Sequence, residues 1–505
     1  MSILLILLII LLSLVLYLVN ALRKHYKYWQ NLGIDCDEPS WIFGSFKGAV
    51  TERTFLDIIQ DHYYKYKNKG PFAGFYWFYR PAVFVTDMAL IKQILIKDFN
   101  KFSDRGLFVN EEDDPLSGHL FNLEGHKWRI MRSKLSPTFT SGKMKFMFPT
   151  VVKVAQQLEL AFAKIVEKDS KVEIRDIVSR YTTDVIGTCA FGLECNSLTD
   201  PQAKFHVMSK RALLENHLGN FGVAFRFSFP KLAKRLRMRD TVHEIEDFFM
   251  GIVKDTVKYR EDNQVKRNDF MNLLLELKNN KVMKTEGGED FTNLSLKEVA
   301  AQAFIFLVAG SDTSSTTMSF ALYELALNQD IQEKARQEVN RVLELHNQEF
   351  SYECMSELKY LEQIIQETLR LYCPLPALNR VALEDYVVPG HPNFVIKKDM
   401  PVVIPAISIH RDEQYFPNPD KFNPENFSAD QVALRDSVLY LPFGEGPRNC
   451  IGSRFGKMQI IIGLALLLKN FKFCACQETL IPMKYDKENF MVTPDGNLYL
   501  KATKV

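Results

Sequence analysis

Ten residues near the C-terminus constrain this chain more than any others: Phe443-Gly444-Glu445-Gly446-Pro447-Arg448-Asn449-Cys450-Ile451-Gly452. Three glycines and a proline bend the backbone tightly and set one cysteine just ahead of an apolar stretch, Ser453 to Phe471, that reads as a helix. The start of a helix presents unpaired N–H groups and a positive dipole end, which lower a thiol pKa and stabilise a thiolate. A thiolate is a strong donor to iron. The glycines leave room for the backbone to lie against a flat cofactor and offer N–H groups to the sulfur. The other seven cysteines, Cys36, Cys189, Cys195, Cys354, Cys373, Cys474 and Cys476, are too sparse for a disulfide scaffold and lack paired zinc spacing, so they read as reduced thiols.

The 63 Lys and Arg residues nearly balance 61 Asp and Glu, a net charge of +2 that argues against a nucleic-acid binder held by many phosphate contacts. Ile3 to Val19 is apolar apart from Ser13 and Tyr17, and no charge occurs until Arg23, so the stretch is long enough to span a thin bilayer as one helix. Arg23, Lys24, His25, Tyr26, Lys27, Tyr28 and Trp29 then supply cations and interfacial rings, which by the positive-inside rule keep the rest of the chain cytoplasmic. The competing reading, a signal peptide cleaved near Val19-Asn20-Ala21, lacks a charged leading region. We therefore expect a membrane anchor at 1–22, a basic linker at 23–40 and a single catalytic domain at 41–505. No repeat or low-complexity segment divides the body. Long helical windows in the middle, with strand-like composition at Pro71 to Thr86, Tyr386 to Ile404 and the last thirty or so residues, predict a mainly α fold with small β-sheets.

Ser295 and Glu298 have the spacing of a capping box ahead of an apolar run towards Asn328, which predicts a helix about 50 Å long. Its centre, Ala309-Gly310-Ser311-Asp312-Thr313-Ser314-Ser315-Thr316-Thr317, is rich in poor helix formers. Two readings fit: a local widening at a functional site, or hydroxyls that bond back to their own turn. Residues 218 to 239 interleave Phe221, Phe225, Phe227, Phe229, Leu232 and Leu236 with Arg226, Lys231, Lys234, Arg235, Arg237 and Arg239, either a membrane-interface stretch or a core helix with a solvated basic face.

The cysteine loop resembles that of the cytochrome P450 family, Phe-x-x-Gly-x-Arg-x-Cys-x-Gly, with Phe443, Gly446, Arg448, Cys450 and Gly452 matching every fixed position. Glu367-Thr368-Leu369-Arg370 resembles the family's Glu-x-x-Arg pair, Ala309-Gly310-Ser311-Asp312-Thr313 its central-helix pattern, and Trp128 with Arg132 its Trp-x-x-x-Arg. Thr183 to Gly192 and His410-Arg411-Asp412 look most like the insect microsomal branch called family six. In one departure, Pro424-Glu425-Asn426-Phe427 has asparagine where the family usually has an arginine that joins the Glu-x-x-Arg pair.

The resemblance implies a cytochrome P450-like fold with an N-terminal anchor helix, and haem b (iron protoporphyrin IX) held by the Cys450 thiolate, which also supplies the electronic push for dioxygen cleavage. Asp312 and Thr313 are implied to deliver protons through ordered water. Trp128, Arg132 and Arg448, with Arg380 and Arg105 held as further matches, would meet the haem carboxylates, since uncompensated buried carboxylates are costly. Phe443 belongs to the cofactor loop, and Glu367 with Arg370 forms a structural pair. Phe108, Phe121, Phe304, Ile305 and Ala309 would line an apolar pocket. Lys127, Arg129, Lys134, Lys143, Lys145, Arg454 and Lys457 would suit an acidic electron donor. The implied activity is monooxygenation of lipophilic small molecules, xenobiotics, insecticides or insect hormones, at the cytoplasmic face of the endoplasmic reticulum membrane. Electrons would come from NADPH through a separate reductase, with a b-type cytochrome as a further partner, because the chain has no Rossmann or flavin fingerprint. A haem-thiolate isomerase, or a haem protein that sequesters ligands without turnover, are the rival readings.

Overall fold

The apolar run at the N-terminus forms one helix, Ile3–His25, in which Ile3 through Tyr17 expose their side chains. A computed structural model describes residues 3–267, 269–279 and 293–505, so residues 1 and 2 of the expected anchor lie outside the described set. By length and composition this helix can cross a membrane.

Part of the segment read as a linker is instead packed into the body. Tyr26, Trp29 and Ile34 are buried, the Trp29 indole N–H donates to the Phe75 carbonyl at 3.0 Å, and Cys36 pairs with Gly74 in an isolated parallel bridge. A Cβ at Gly74 would overlap the Trp29 ring, so that glycine makes the seat for the indole. The aromatic residues here are buried against a strand because a rigid, large side chain gains more from a dry contact than from a half-wet one.

That strand belongs to a four-stranded sheet ordered Phe72–Trp77, Arg80–Val85, Pro401–Ile404, Leu378–Val381. A second sheet joins Lys171–Glu173, Tyr499–Lys504 and Phe471–Cys474, and a two-stranded ribbon pairs Tyr386–Val388 with His391–Ile396. Of the last thirty residues only Tyr499–Lys504 forms a strand, joined by a lone bridge between Tyr485 and Pro494.

The rest is helical and is organised on Leu296–Leu327, a helix of 32 residues and about 48 Å. Its cap is as the sequence predicts: Glu298 N–H donates to Ser295 Oγ at 3.2 Å and Ser295 N–H to Glu298 Oε2 at 2.8 Å. Ile174–Ile186, His243–Asp262, Lys359–Leu371 and Ser453–Asn470 pack around it. The weak helix formers at its centre produce no widening. Several of their hydroxyls bond back one turn, Thr313 to Ala309 O at 2.7 Å, Ser315 to Asp312 O at 3.0 Å and Thr317 to Thr313 O at 2.8 Å, and the helix stays α throughout. Gly310 is there for contact, because a Cβ would press on Ile186 Cδ1 at 2.7 Å. Wide turns occur elsewhere, one at the end of the neighbouring helix, Gly187–Phe191, and one at Gln93–Lys97.

Candidate active site

The cysteine loop is held by its own backbone. Cys450 N–H donates to Phe443 O at 2.7 Å, Asn449 N–H to Gly446 O at 3.0 Å, and Gly444 N–H to Leu441 O at 3.0 Å. Gly444 and Gly446 sit at φ of +67° and +72°, where a side chain would be strained. A Cβ on Gly446 would also collide with the Leu95 carbonyl oxygen, so this glycine lets the loop pack closely on the backbone at Leu95.

Cys450 has accessible side-chain surface yet is enclosed by protein, so the sulfur faces inward. Burial pushes its thiol up, against the Gly452 N–H that donates to it and the nearby Arg132 and Arg105 charges. The thiolate stabilisation expected from the helix start is therefore outweighed by desolvation. A bound cation is what would make this sulfur a thiolate.

Four arginines gather beside it. Arg132 grips the residue before the cysteine, Nη1 to Asn449 O at 2.8 Å and Nη2 to Asn449 Oδ1 at 2.7 Å. Arg105 donates to Phe121 O at 2.9 Å and Arg448 O at 3.1 Å, with its guanidinium 4.1 Å from the centre of the Phe121 ring. Arg448 donates from Nε to Ser103 O and from Nη2 to Leu123 O, both at 2.7 Å, and lies over the buried Trp128 ring at 4.1 Å. Arg380 donates only to Asn379 O at 2.8 Å among the described residues, and its buried Nε has no acceptor there. Burial lowers Arg380 to about 10 and Arg448 to about 9, and holds Arg105 well below its ordinary value, aided by the Arg380 and Arg448 charges. Against these four cations stand two carboxylates, Asp104, 3.6 Å from Arg448, and Glu124, which also acts electrostatically on it. Phe443 contributes its carbonyl to the loop, while its ring packs at the core edge beneath Lys457.

The central helix turns one face towards this region. Ala309 is exposed in mid-helix, with Ile305 and Thr313 half-exposed one turn to either side, so that face borders space inside the protein. Phe304 points the other way, into the core against Phe249 at 5.3 Å, and is not a lining residue. Phe108 is buried under the Arg226 guanidinium at 5.9 Å. The segment carrying Phe108 is pinned to the basic aromatic stretch: Asp114 Oδ2 accepts from Asp240 N–H at 2.9 Å and Thr241 N–H at 2.8 Å, and Asn110 Nδ2 donates to Met238 O at 3.0 Å.

Asp312 lines a cavity of about 10 Å³ on the helix's outer side, with Ser179, Thr183, Ser209, Lys210 and Ser311. Ser311 Oγ lies 3.2 Å from Thr182 Oγ1 and 3.3 Å from Thr183 Oγ1, which contacts His206 Nδ1 at 3.1 Å. Burial raises the Asp312 carboxyl above its ordinary value.

Glu367 and Arg370 form a fully buried bidentate pair, Nε to Oε2 and Nη2 to Oε1, both at 2.8 Å. Asn426 Nδ2 reaches the same carboxylate at 3.1 and 3.3 Å.

Three residues at this site carry no sequence signal. Gln459, on the helix after Cys450, donates to Gly310 O at 2.8 Å and Ser314 Oγ at 2.6 Å and so ties the cysteine helix to the central one. Gln302 bonds both Leu120 N–H, at 2.8 Å, and Gly118 O, at 3.2 Å. His119, near Arg105, is driven down to about 3 by burial. On the outer face Lys127, Lys145 and Lys457 are paired with Glu111, Glu353 and Glu362, which partly neutralises the expected basic patch.

Residues 35–501 match the family model described as Cytochrome P450. The chain is 58% identical over 500 residues to "Probable cytochrome P450 6a21" and 56% identical over 500 residues to "Cytochrome P450 6a9", both of Drosophila melanogaster, with 99% of each chain covered in both comparisons. It is 46% identical to "Cytochrome P450 6A1" of Musca domestica, covering 98% of this chain and 97% of that one. The residues present fit the cofactor such proteins carry. An inward-facing sulfur stands beside a surplus of buried guanidinium charge and an orphaned Arg380 Nε, which is what a planar iron porphyrin with two carboxylates calls for. The chain belongs to the cytochrome P450 family and is a haem monooxygenase, its cofactor a haem with an axial cysteine thiolate.

Proposed function

We propose that this P450 oxidises lipophilic small molecules, among them xenobiotics, insecticides or insect hormones. Electrons would come from NADPH through a separate flavoprotein reductase, with a b-type cytochrome as a second donor. The observation that carries the reading is the inward face of Ile305, Ala309 and Thr313, two apolar side chains and one hydroxyl. Such a wall selects for apolar bulk and offers one polar contact near the reacting position.

Cys450 Sγ would hold the haem, Arg105, Arg132, Arg380, Arg448 and Trp128 would meet its carboxylates, and the bound group would supply the electron transfer to dioxygen that no side chain can perform. The chain's own part is protons and exclusion of water. Thr313 spends its O–H on the Ala309 carbonyl, so Oγ1 keeps lone pairs with which it can accept a hydrogen bond. Asp312, with its carboxyl raised by burial, can hold a proton nearer neutrality than an exposed aspartate and release it inward. Resupply runs from the surface pair Lys210 and Asp176, 3.2 Å apart, across the small cavity, which has space for about one water, to Asp312.

The anchor reading has support from the packing. His25 at the end of the apolar helix stacks on Tyr79 at 4.0 Å, and Tyr79 meets Phe229 at 5.3 Å. Phe221, Leu232 and Leu236 in the same stretch are exposed. Helix end and aromatic patch thus form one surface suited to the cytoplasmic face of the endoplasmic reticulum membrane.

Purified protein with NADPH and reductase, screened against lipophilic compounds, should form oxygenated product for those that shift the binding spectrum. Spectral binding without product from every lipophilic compound would contradict the proposed substrate class or electron donor.

A further inference from the structure

We propose that Arg435 is a positioning residue that takes the place of the arginine absent at position 426, acting through Asn426 on the Glu367–Arg370 pair and so on the stem of the cysteine loop.

Glu367 is wholly enclosed and accepts from Arg370, from the Asn423 N–H at 2.8 Å and from Asn426 Nδ2. Asparagine supplies hydrogen bonds here but no charge, and its amide must be held at the right distance to supply them. Arg435 fixes the backbone that carries this amide from nine residues further along: its Nη2 donates to the Asn426 main-chain carbonyl at 2.8 Å. The guanidinium is itself fixed by two rings, 4.3 Å from the centre of Phe416 and 5.0 Å from that of Phe427. Phe416 also lies 5.2 Å from the Arg370 guanidinium, so one ring is shared by both cations. Glu367 acts electrostatically on Arg435, which is half-buried at the end of the short helix Ala429–Leu434, where a cation favours the helix dipole.

The next residues of the chain carry this arrangement from Arg435 to the loop. Tyr440 donates to the Gln366 carbonyl at 2.8 Å, next to Glu367, and the Leu441 N–H donates to His410 Nε2 at 2.7 Å. Arg370 in turn donates to the His410 carbonyl at 3.0 Å. Leu441 then accepts from Gly444 at the mouth of the loop. The cation is therefore knitted into the strut on which residues 443–450 stand.

The test is a cycle of variants in the full-length, haem-loaded protein: Arg435→Met, Arg435→Lys, Asn426→Arg and the double variant Asn426→Arg/Arg435→Met. Two readouts are taken: the rate of thermal unfolding by circular dichroism, which does not depend on the role of Cys450, and the decay of the thiolate-type Soret band of the reduced, carbon monoxide-bound form, which rests on that role. Arg435→Met should unfold at least tenfold faster, Arg435→Lys should recover part of the loss, and the double variant should recover most of it, because the charge has returned from the other side. Arg435→Met unfolding within twofold of the parent overturns the proposal. So does a double variant that unfolds, or fails to accumulate, as Arg435→Met does. Rescue of unfolding without rescue of the Soret band would retain the Glu367 partnership and overturn the link to the loop.

Discussion

Arg448→Lys keeps the charge beside Cys450 and removes the geometry. The arginine's Nε and Nη2 hold the Ser103 and Leu123 carbonyls together, both at 2.7 Å, and its flat face covers Trp128 at 4.1 Å. A lysine ammonium has no fork, so at least one buried carbonyl loses a charged donor, about 1.5–3 kcal/mol, and the ring loses the stacked guanidinium plane, worth roughly 1–2 kcal/mol. Allowing for repacking, the loss should be about 3 kcal/mol. If most of it falls on the unfolding step, unfolding accelerates roughly 100-fold, at about 1.4 kcal/mol per decade. The assay is the rate of haem release and of helix loss after a temperature jump in detergent-solubilised protein, and rates within threefold of the parent would refute the reasoning. Because charge is conserved, an effect of the expected size belongs to the bidentate bonds and the stacking.

Thr313→Ala should leave haem binding intact while lowering the product formed per NADPH consumed and raising peroxide, and Thr313→Ser should restore most of the coupling; equal coupling in all three proteins would remove the hydroxyl from the proton route. Asp114→Ala leaves the Asp240 and Thr241 N–H groups without their acceptor, about 1–3 kcal/mol each, so hydrogen exchange at those amides should quicken roughly tenfold or more while the central helix stays protected. Burial holds His119, His206 and His410 down at about 3, 4 and 3, below their ordinary 6.5, so between those values and 6.5 the unfolded chain binds the extra protons. Stability should then fall as the pH drops below about 6.5, by roughly 1.4 kcal/mol per pH unit for each neutral histidine, and His410→Gln should take about one proton from the uptake on unfolding; an unchanged uptake would contradict the assignment.

Much of the site was legible because its chemistry needs rare residues at fixed spacings. Cys450 between Gly446 and Gly452, the Ser295 and Glu298 cap, and Glu367 three residues from Arg370 are all local patterns, and each takes its expected local geometry. Gln459, Gln302 and Arg435 were not legible, since each acts on a partner more than a hundred residues away or through an otherwise ordinary side chain. The Asn426 departure could be seen in sequence, but its compensation could not. Packing also overrode pattern: the aromatic flank of the anchor, read as interfacial, seats Trp29 in the first sheet, and the loop glycine at 446 answers to the Leu95 carbonyl. Local propensity says nothing of such neighbours.

The most direct test of the central claim is the absorption spectrum of the reduced, carbon monoxide-bound protein beside that of Cys450→Ser. The parent should show a thiolate-type Soret band and the variant should lose it, since a serine hydroxyl is far less acidic and gives the iron no comparable donor. A variant that keeps the band unchanged would contradict ligation by Cys450, and with it the reading of the cysteine loop.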